Sequence, residues 1–341
     1  MIHSDDGGSP GGLNAAALPG ISASEMPLRS SPPFNDALPD KLVNGQLWHY
    51  TAARGALGIL EHRSLRLGPV QMMNDEGELD YGLTLLGNRL QQRKPEIVAR
   101  CPAVEAEVES IYRFARNGYV QHLYVGCASI EPESLSQIRG YGEYILGINA
   151  EVKLQLCVPE QNVDHDRTRP DPYFTRGVFV SEWRPVVYGD IKARELIDRV
   201  IDSVVAATCS DLEREQEFGR RSSLADAARM IAATQFVACA AFLKHPAFES
   251  EHEVRVLASV PIGSRVVALR PGKYGITPYV TVEAVSRERR DSLEEMSFIN
   301  AVKLGPGDTD STTALFGLER ALEHLGYQLH PTLVAIPFRP R

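Results

Sequence analysis

At 341 residues with 43% hydrophobic composition, the chain is long enough to bury a substantial core as one large domain or two ordinary ones. A formal net charge of -8 without any Lys/Arg block argues against a general DNA-binding surface built on phosphate contacts. The widely spaced cysteines (Cys101, Cys127, Cys157, Cys209 and Cys239) match neither zinc-ligand spacing nor a disulfide framework, and no apolar run or basic leader points to a membrane or to export, so a soluble cytoplasmic protein is expected.

Residues 1–44 are rich in Gly, Pro, Ser and Ala and poor in large apolar side chains, so they bury too little surface to offset their ordering entropy and read as a disordered tail. Order is expected from residue 45, with 45–341 forming one mixed α+β domain. It opens with an aromatic-rich strand, Gln46–Thr51, a short helix, Ala53–His62, and an extended Ser64–Leu67. Asn74 or Asp75 is placed to cap the next helix, which carries Leu79, Leu83, Leu86 and Leu90; Glu76 and Glu78 then fall in its first turn, where the helix dipole favours them. A second helix covers Val104–Asn117, and Gln121–Ser129 alternates like a buried strand. Glu133–Arg139 reads as a short helix, Glu143–Ile148 as a strand, Gln161–Pro172 as a polar loop, and Gly177–Tyr188 as one or two strands. Helices follow at Ile191–Thr208 and Leu224–Leu243, the latter apolar on several sides and therefore central. Strands at Arg265–Leu269, Tyr279–Glu283 and Phe298–Leu304, a helix at Thr312–Leu325 and a strand near Leu333–Ile336 complete the chain.

The stretch Ala241–Val260 carries the densest charge pattern. Read at a strand's period of two from Glu249, it puts Glu249, Glu251, Glu253 and Arg255 on one face and His252, Val254, Val256 and Ala258 on the other. Crowded carboxylates keep their charge only if Arg255 or Lys244 compensates or a ligand donates hydrogen bonds, so the stretch is either a site for chemistry or an acidic sheet edge that discourages aggregation. Elsewhere the residues taken singly have ordinary readings: His49 as a hydrogen-bonded core histidine, Tyr50 as core, Cys127 as packing, and Gly305–Gly307 as a turn. Gly140-Tyr-Gly142 lacks the strand-to-helix frame of a dinucleotide fingerprint.

Taken in order, His49-Tyr50-Thr51, Asn74-Asp75 with Glu78, Cys127 with Ser129, Tyr141-Gly142, Lys244, and Glu251 with Glu253 and Arg255 resemble a prokaryotic domain family of unknown function, over nearly the whole chain from Leu47. Val302–Pro306 and Ile336–Arg339 fit its ending; Gln137-Ile138 stands where the family has Met-Trp. The layout is also similar to ADP-ribosyltransferase folds, in which an early His and a late Glu act on NAD. That resemblance implies NAD as substrate, with His49 on the ribose, Tyr141 or Tyr144 facing nicotinamide, and Glu251 or Glu253 as the catalytic carboxylate for an oxocarbenium-like state. Tyr50, Thr51, Ser129 and Arg255 join the cofactor-contacting set, and His49 shares the cleft with the two acids. The alternatives are a magnesium-dependent nuclease or phosphoesterase using Asp75, Glu78, Glu251 and Glu253, and a non-catalytic sensor or interaction module of a defence or toxin system.

Overall fold

A run of large apolar and aromatic residues, buried on both faces, makes β1 (Gln46–Thr51) a strand, and the apolar stripe Ala56, Ile59 and Leu60 seats α1 (Ala53–His62) against the sheet before β2 (Ser64–Pro69). The computed structural model describes residues 37–42, 45–73, 77–117, 123–158, 178–218, 223–260, 264–272, 275–285, 298–307 and 310–336. The order continues α2 (Glu78–Arg100), α3 (Val104–Arg116), β3 (Leu123–Ser129), α4 (Leu135–Tyr141), β4 (Tyr144–Asn149), β5 (Leu154–Cys157), β6 (Phe179–Val180), β7 (Arg184–Pro185), β8 (Val187–Tyr188), α5 (Asp190–Phe218), α6 (Ser223–Ala240), β9 (Leu243–Lys244), β10 (Glu253–Ser259), β11 (Ala268–Gly272), β12 (Gly275–Ala284), β13 (Ile299–Leu304), α7 (Ser311–His324) and β14 (Thr332–Leu333). The fold is α+β, as expected, with a 12-stranded sheet among the described residues and a separate parallel pair, β8 with β9.

The sheet is organised by β3. One edge of β3 pairs along its whole length with β10, from Leu123↔Ser259 to Ser129↔Glu253. Its other edge is shared: β2 pairs with Val125 and Tyr124, while β1 touches it at Trp48↔Ser129. Two arms therefore diverge there, β1-β4-β13-β14 on one side and β2-β12 with β11 and β5 on the other. β6 and β7 cover the outer edge of β10.

Residues directly opposite in an antiparallel ladder share a face, so register sorts the side chains. Val125, Cys127 and Ser129 lie on the face of Glu253, Arg255, Leu257 and Trp48; Ala128 lies on the face of Val254 and Val256. The first face is covered by α2, α3, α5 and α6, whose Leu86, Val108, Val200 and Phe236 join Leu123, Val125 and Leu257 in one buried cluster. The second is covered by α1 and α7, with Leu60, Leu318 and Leu322 packing on Leu47, Leu146, Val254 and Val256. α6 is buried around its last turns, as its apolar sequence requires. It approaches α2 so closely that a Cβ added at Gly82 would come within 2.4 Å of the Ala240 carbonyl oxygen.

Three expectations are corrected. The tail does not extend to residue 44: Ala37 and Leu38 are 0% and 1% exposed, Leu42 N donates to Trp183 O at 3.0 Å, and Arg199 Nη2 donates to Leu38 O at 2.9 Å. Leu38 supplies the apolar anchor, and Arg184, which donates to Pro39 O, holds the backbone beside it. Second, residues 246–251 form a 3-10 turn instead of a strand, because Pro246 has no N–H for a ladder and His252 turns the chain in the left-handed region at φ 44° before β10 begins. Third, β10 is no acidic edge: it is paired on both sides and every one of its residues is buried. The remainder of the expected tail, Asn74, Asp75 and the Gln161–Pro172 loop lie outside the described residues. Among the described residues no helix is long and apolar enough to cross a membrane.

Candidate functional site

The charged motif residues that are described meet at the start of β10. Glu78 is the first residue of α2, Lys244 ends β9, Glu251 closes the 3-10 turn, and Glu253 and Arg255 stand two apart on β10, pointing the same way. Lys244 Nζ lies 3.2 Å from Glu78 Oε1, 2.8 Å from Glu251 Oε2 and 2.7 Å from Glu253 Oε2. Arg255 donates from Nε to Glu253 Oε1 at 2.7 Å, from Nη2 to Glu253 Oε2 at 2.8 Å and to Glu78 Oε1 at 2.6 Å, and from Nη1 to Ala241 O. The fork of the guanidinium suits this: its planar donors serve two carboxylates and a backbone carbonyl at once.

Arg255 is 1% exposed, and Glu253 and Lys244 are each 7% exposed, so the charges survive only because they are paired. Burial opposes ionisation of Glu253, but Arg255 and then Lys244 outweigh it and hold the carboxyl at about 2. Burial likewise works against charge on Lys244 and Arg255, and Glu253 reverses it, so both are raised. Cys127, beside this pair on β3, has its thiol pushed far up by burial and next by the Glu253 charge, which leaves it protonated and a poor nucleophile. Tyr188 accepts from Glu253 N at 3.1 Å, and burial pushes its phenol up to about 12. Three carboxylates against two cations leave one negative charge in excess, and Glu251, 19% exposed, is the member nearest water. Phe248, 38% exposed, lies over Lys244 with Nζ 5.2 Å from its ring centroid.

Ser129 ties the turn to the sheet: its Oγ donates to Glu251 O at 2.7 Å and accepts from Glu131 N at 3.0 Å. Tyr50 stands on the same face of the sheet, its hydroxyl donating to Glu131 O at 2.5 Å and accepting from Ser134 N at 3.0 Å. These are two fixed, satisfied polar contacts that position the chain leaving β3.

His49 is elsewhere. Trp48 opposes Ser129, which opposes Glu253, so Trp48 and Glu253 share a face and His49, the next residue, points to the other. The expected common cleft for His49 and Glu253 is therefore absent: His49 is one residue off Trp48, which stands in register with Glu253 through Ser129. His49 Nδ1 lies 2.9 Å from Cys127 O, and since a carbonyl only accepts, Nδ1 carries the proton. That contact has a structural cause. Cys127 falls in the gap where β1 and β2 part along β3, so its carbonyl meets an imidazole. Burial holds the His49 ring below its ordinary value of 6.5, against the pull of the Cys127 hydrogen bond.

Thr51 ends β1 opposite Tyr144, and register places both on the face of His49. Tyr141 sits on α4 and is 41% exposed. Of the residues expected to bind a cofactor, Ser129, Tyr50 and Arg255 thus share the face of Glu253, while His49, Thr51 and Tyr144 do not. Glu78 is the residue that the sequence reading undervalued: the helix dipole explained its position, but it is 8% exposed and salt-bridged to Arg255. Its membership with Asn74 and Asp75 in one sequence motif was the available signal. Among the described residues no group of three or more His, Cys, Asp or Glu side chains is arranged to hold a metal ion. No known protein family, curated protein or solved structure matches the chain.

Proposed function

We propose that this chain is a non-catalytic sensor or interaction module, and that its charged motif residues build the fold rather than perform chemistry. One observation carries the reading: both oxygens of Glu253 are engaged by Lys244 and Arg255 in a buried network, with His49 across the sheet. A carboxylate that must face an oxocarbenium-like state needs open access to substrate, whereas this one is covered and neutralised. Binding of NAD or magnesium to the folded chain would raise its thermal stability, so each is titrated separately and nicotinamide release is followed in parallel. No shift with either and no release supports the module; a shift with magnesium alone points to a phosphoesterase.

A second reading, an NAD-consuming transferase or glycohydrolase, is favoured by the surroundings of Glu251. Its Oε2 rests on Lys244, and the half-exposed Phe248 ring covers the same ammonium. A carboxylate beside an aromatic is the pair that loss of nicotinamide requires. Under this reading Glu251 is the catalytic carboxylate, and nicotinamide release by the wild type that Glu251→Gln abolishes would replace the first reading with the second.

A further inference from the structure

Cys101 and Cys209, distant in sequence, are brought together at the α2–α5 interface. Cys101 is the extended residue that caps the C-terminus of α2 (φ -155°, ψ 107°), and Cys209 lies on α5. Both are free thiols, partly exposed, and both pack against the same buried cluster. A ladder of ion pairs sets the alignment of the two helices. Arg89 holds Asp198 through two contacts of 2.7 Å, Arg93 Nη2 reaches Asp202 at 2.8 Å, and Arg100 Nη1 reaches Asp202 at 3.1 Å. Cys101 follows Arg100 directly, and Cys209 lies about two turns beyond Asp202. Arg89–Asp198 and Arg93–Asp202 keep the same offset of 109 positions, which puts Arg100 level with Cys209 on the face of α5 that carries Asp198 and Asp202, and brings Cys101 beside it.

We propose that Cys101 and Cys209 form a reversible disulfide when the protein meets a hydroperoxide, locking the C-terminal end of α2 to α5. One thiolate attacks the terminal peroxide oxygen, the O–O bond breaks, and a sulfenic acid forms with release of water from hydrogen peroxide. The second sulfur then attacks the sulfenyl sulfur and expels the hydroxyl as a second water, so two thiols lose two electrons and two protons to one peroxide. Burial, then the neighbouring Cys101 and Glu213, hold the Cys209 thiol above its ordinary value, with Arg100 opposing, so Cys209 resists ionisation and serves as the second sulfur, the one that meets the sulfenyl group. Cys127, Cys157 and Cys239 are set apart on β3, β5 and α6, and burial pushes Cys157 and Cys239 up to about 12 and Cys127 well up.

The test is peptide mapping of the reduced full-length protein after treatment with hydrogen peroxide, alkylation of remaining thiols and digestion without reductant. The expected result is a peptide pair joined through Cys101 and Cys209, lost on adding dithiothreitol, with Tm of the oxidised protein higher by about 5 °C because the bridge closes a long loop. Cys101→Ser and Cys209→Ser should each abolish the joined peptide and the rise in Tm. Independent alkylation of both cysteines in the treated wild type overturns the proposal, as does a joined peptide found only between copies of the chain. An equal rise in Tm in wild type and Cys209→Ser also overturns it.

Discussion

Arg255 Nη2 donates to Glu78 Oε1 at 2.6 Å, joining residues 177 positions apart and fixing the start of α2 to the central strand pair of the sheet. The same guanidinium grips Glu253 through two nitrogens, so one side chain ties β10 to the helical layer above it. Loss of this cation leaves the carboxylates of Glu78, Glu251 and Glu253 to the single ammonium of Lys244.

Arg255→Met is therefore expected to destabilise the protein by about 3–5 kcal/mol, the usual consequence of stranding buried charge. Arg255→Lys should recover only part of the loss, since an ammonium cannot serve both carboxylates and the Ala241 carbonyl with a planar fork. Urea unfolding of the three proteins measures this. A change within about 0.5 kcal/mol for Arg255→Met, as at an ordinary surface position, would contradict it.

Acid should weaken the fold in two steps. Glu253 titrates at about 2 when folded against 4.5 ordinarily, since burial is outweighed by Arg255 and Lys244; its contribution is complete above about 4.5 and lost as pH falls through about 2. His49, held below 6.5 by burial, has the same sign: stability is complete above 6.5 and declines below it, because the unfolded chain takes up a proton that the folded one resists. Replacing His49 by Gln should flatten the stability profile just below pH 6.5 and leave the lower step. An unchanged slope there in the variant would show that His49 does not titrate this way.

Tyr50→Phe removes a hydroxyl that bridges Glu131 O and Ser134 N, leaving both backbone groups without it. A loss of about 1–3 kcal/mol is expected, and hydrogen exchange at the Ser134 amide should accelerate with it. Unchanged exchange would mean that the bridge contributes nothing to holding the chain after β3.

Two truncations locate the beginning of the packed body. Removing residues 1–42 deletes the buried Leu38 and should cost about 1.5–3 kcal/mol more than removing residues 1–36, which leaves it in place. Equal stability of the two truncated proteins would show that Leu38 does not anchor the body.

Much of the fold could be read from local patterns. β1, α1, α3, β4 and α6 announced themselves by period and apolar run, and tertiary packing confirmed what the stripes implied. The candidate site was legible as a set of residue types: Glu78, Lys244, Glu251, Glu253 and Arg255 do converge. Geometry within that set was not legible. A strand reading of Glu249–Glu253 fails because one proline and one left-handed residue break the period, and only the backbone beyond Pro246 decides it. The face of His49 depended on the single register pair Trp48↔Ser129 between distant strands, which no local pattern encodes. The two-residue strands β6 to β9 carry too few residues for alternation to appear, and the burial of Ala37, Leu38 and Pro39 rests on one large apolar side chain, Leu38, with the exposed Asp40 and Lys41 directly after it.

The most direct measurement is a comparison of wild type with Glu253→Gln for both NAD turnover and thermal unfolding. If the network builds the fold, wild type releases no nicotinamide and Glu253→Gln lowers Tm by several degrees, because Lys244 and Arg255 lose the carboxylate that both of them hold. Nicotinamide release by the wild type, abolished in a variant whose Tm is unchanged, would contradict the account and make Glu253 a catalytic group.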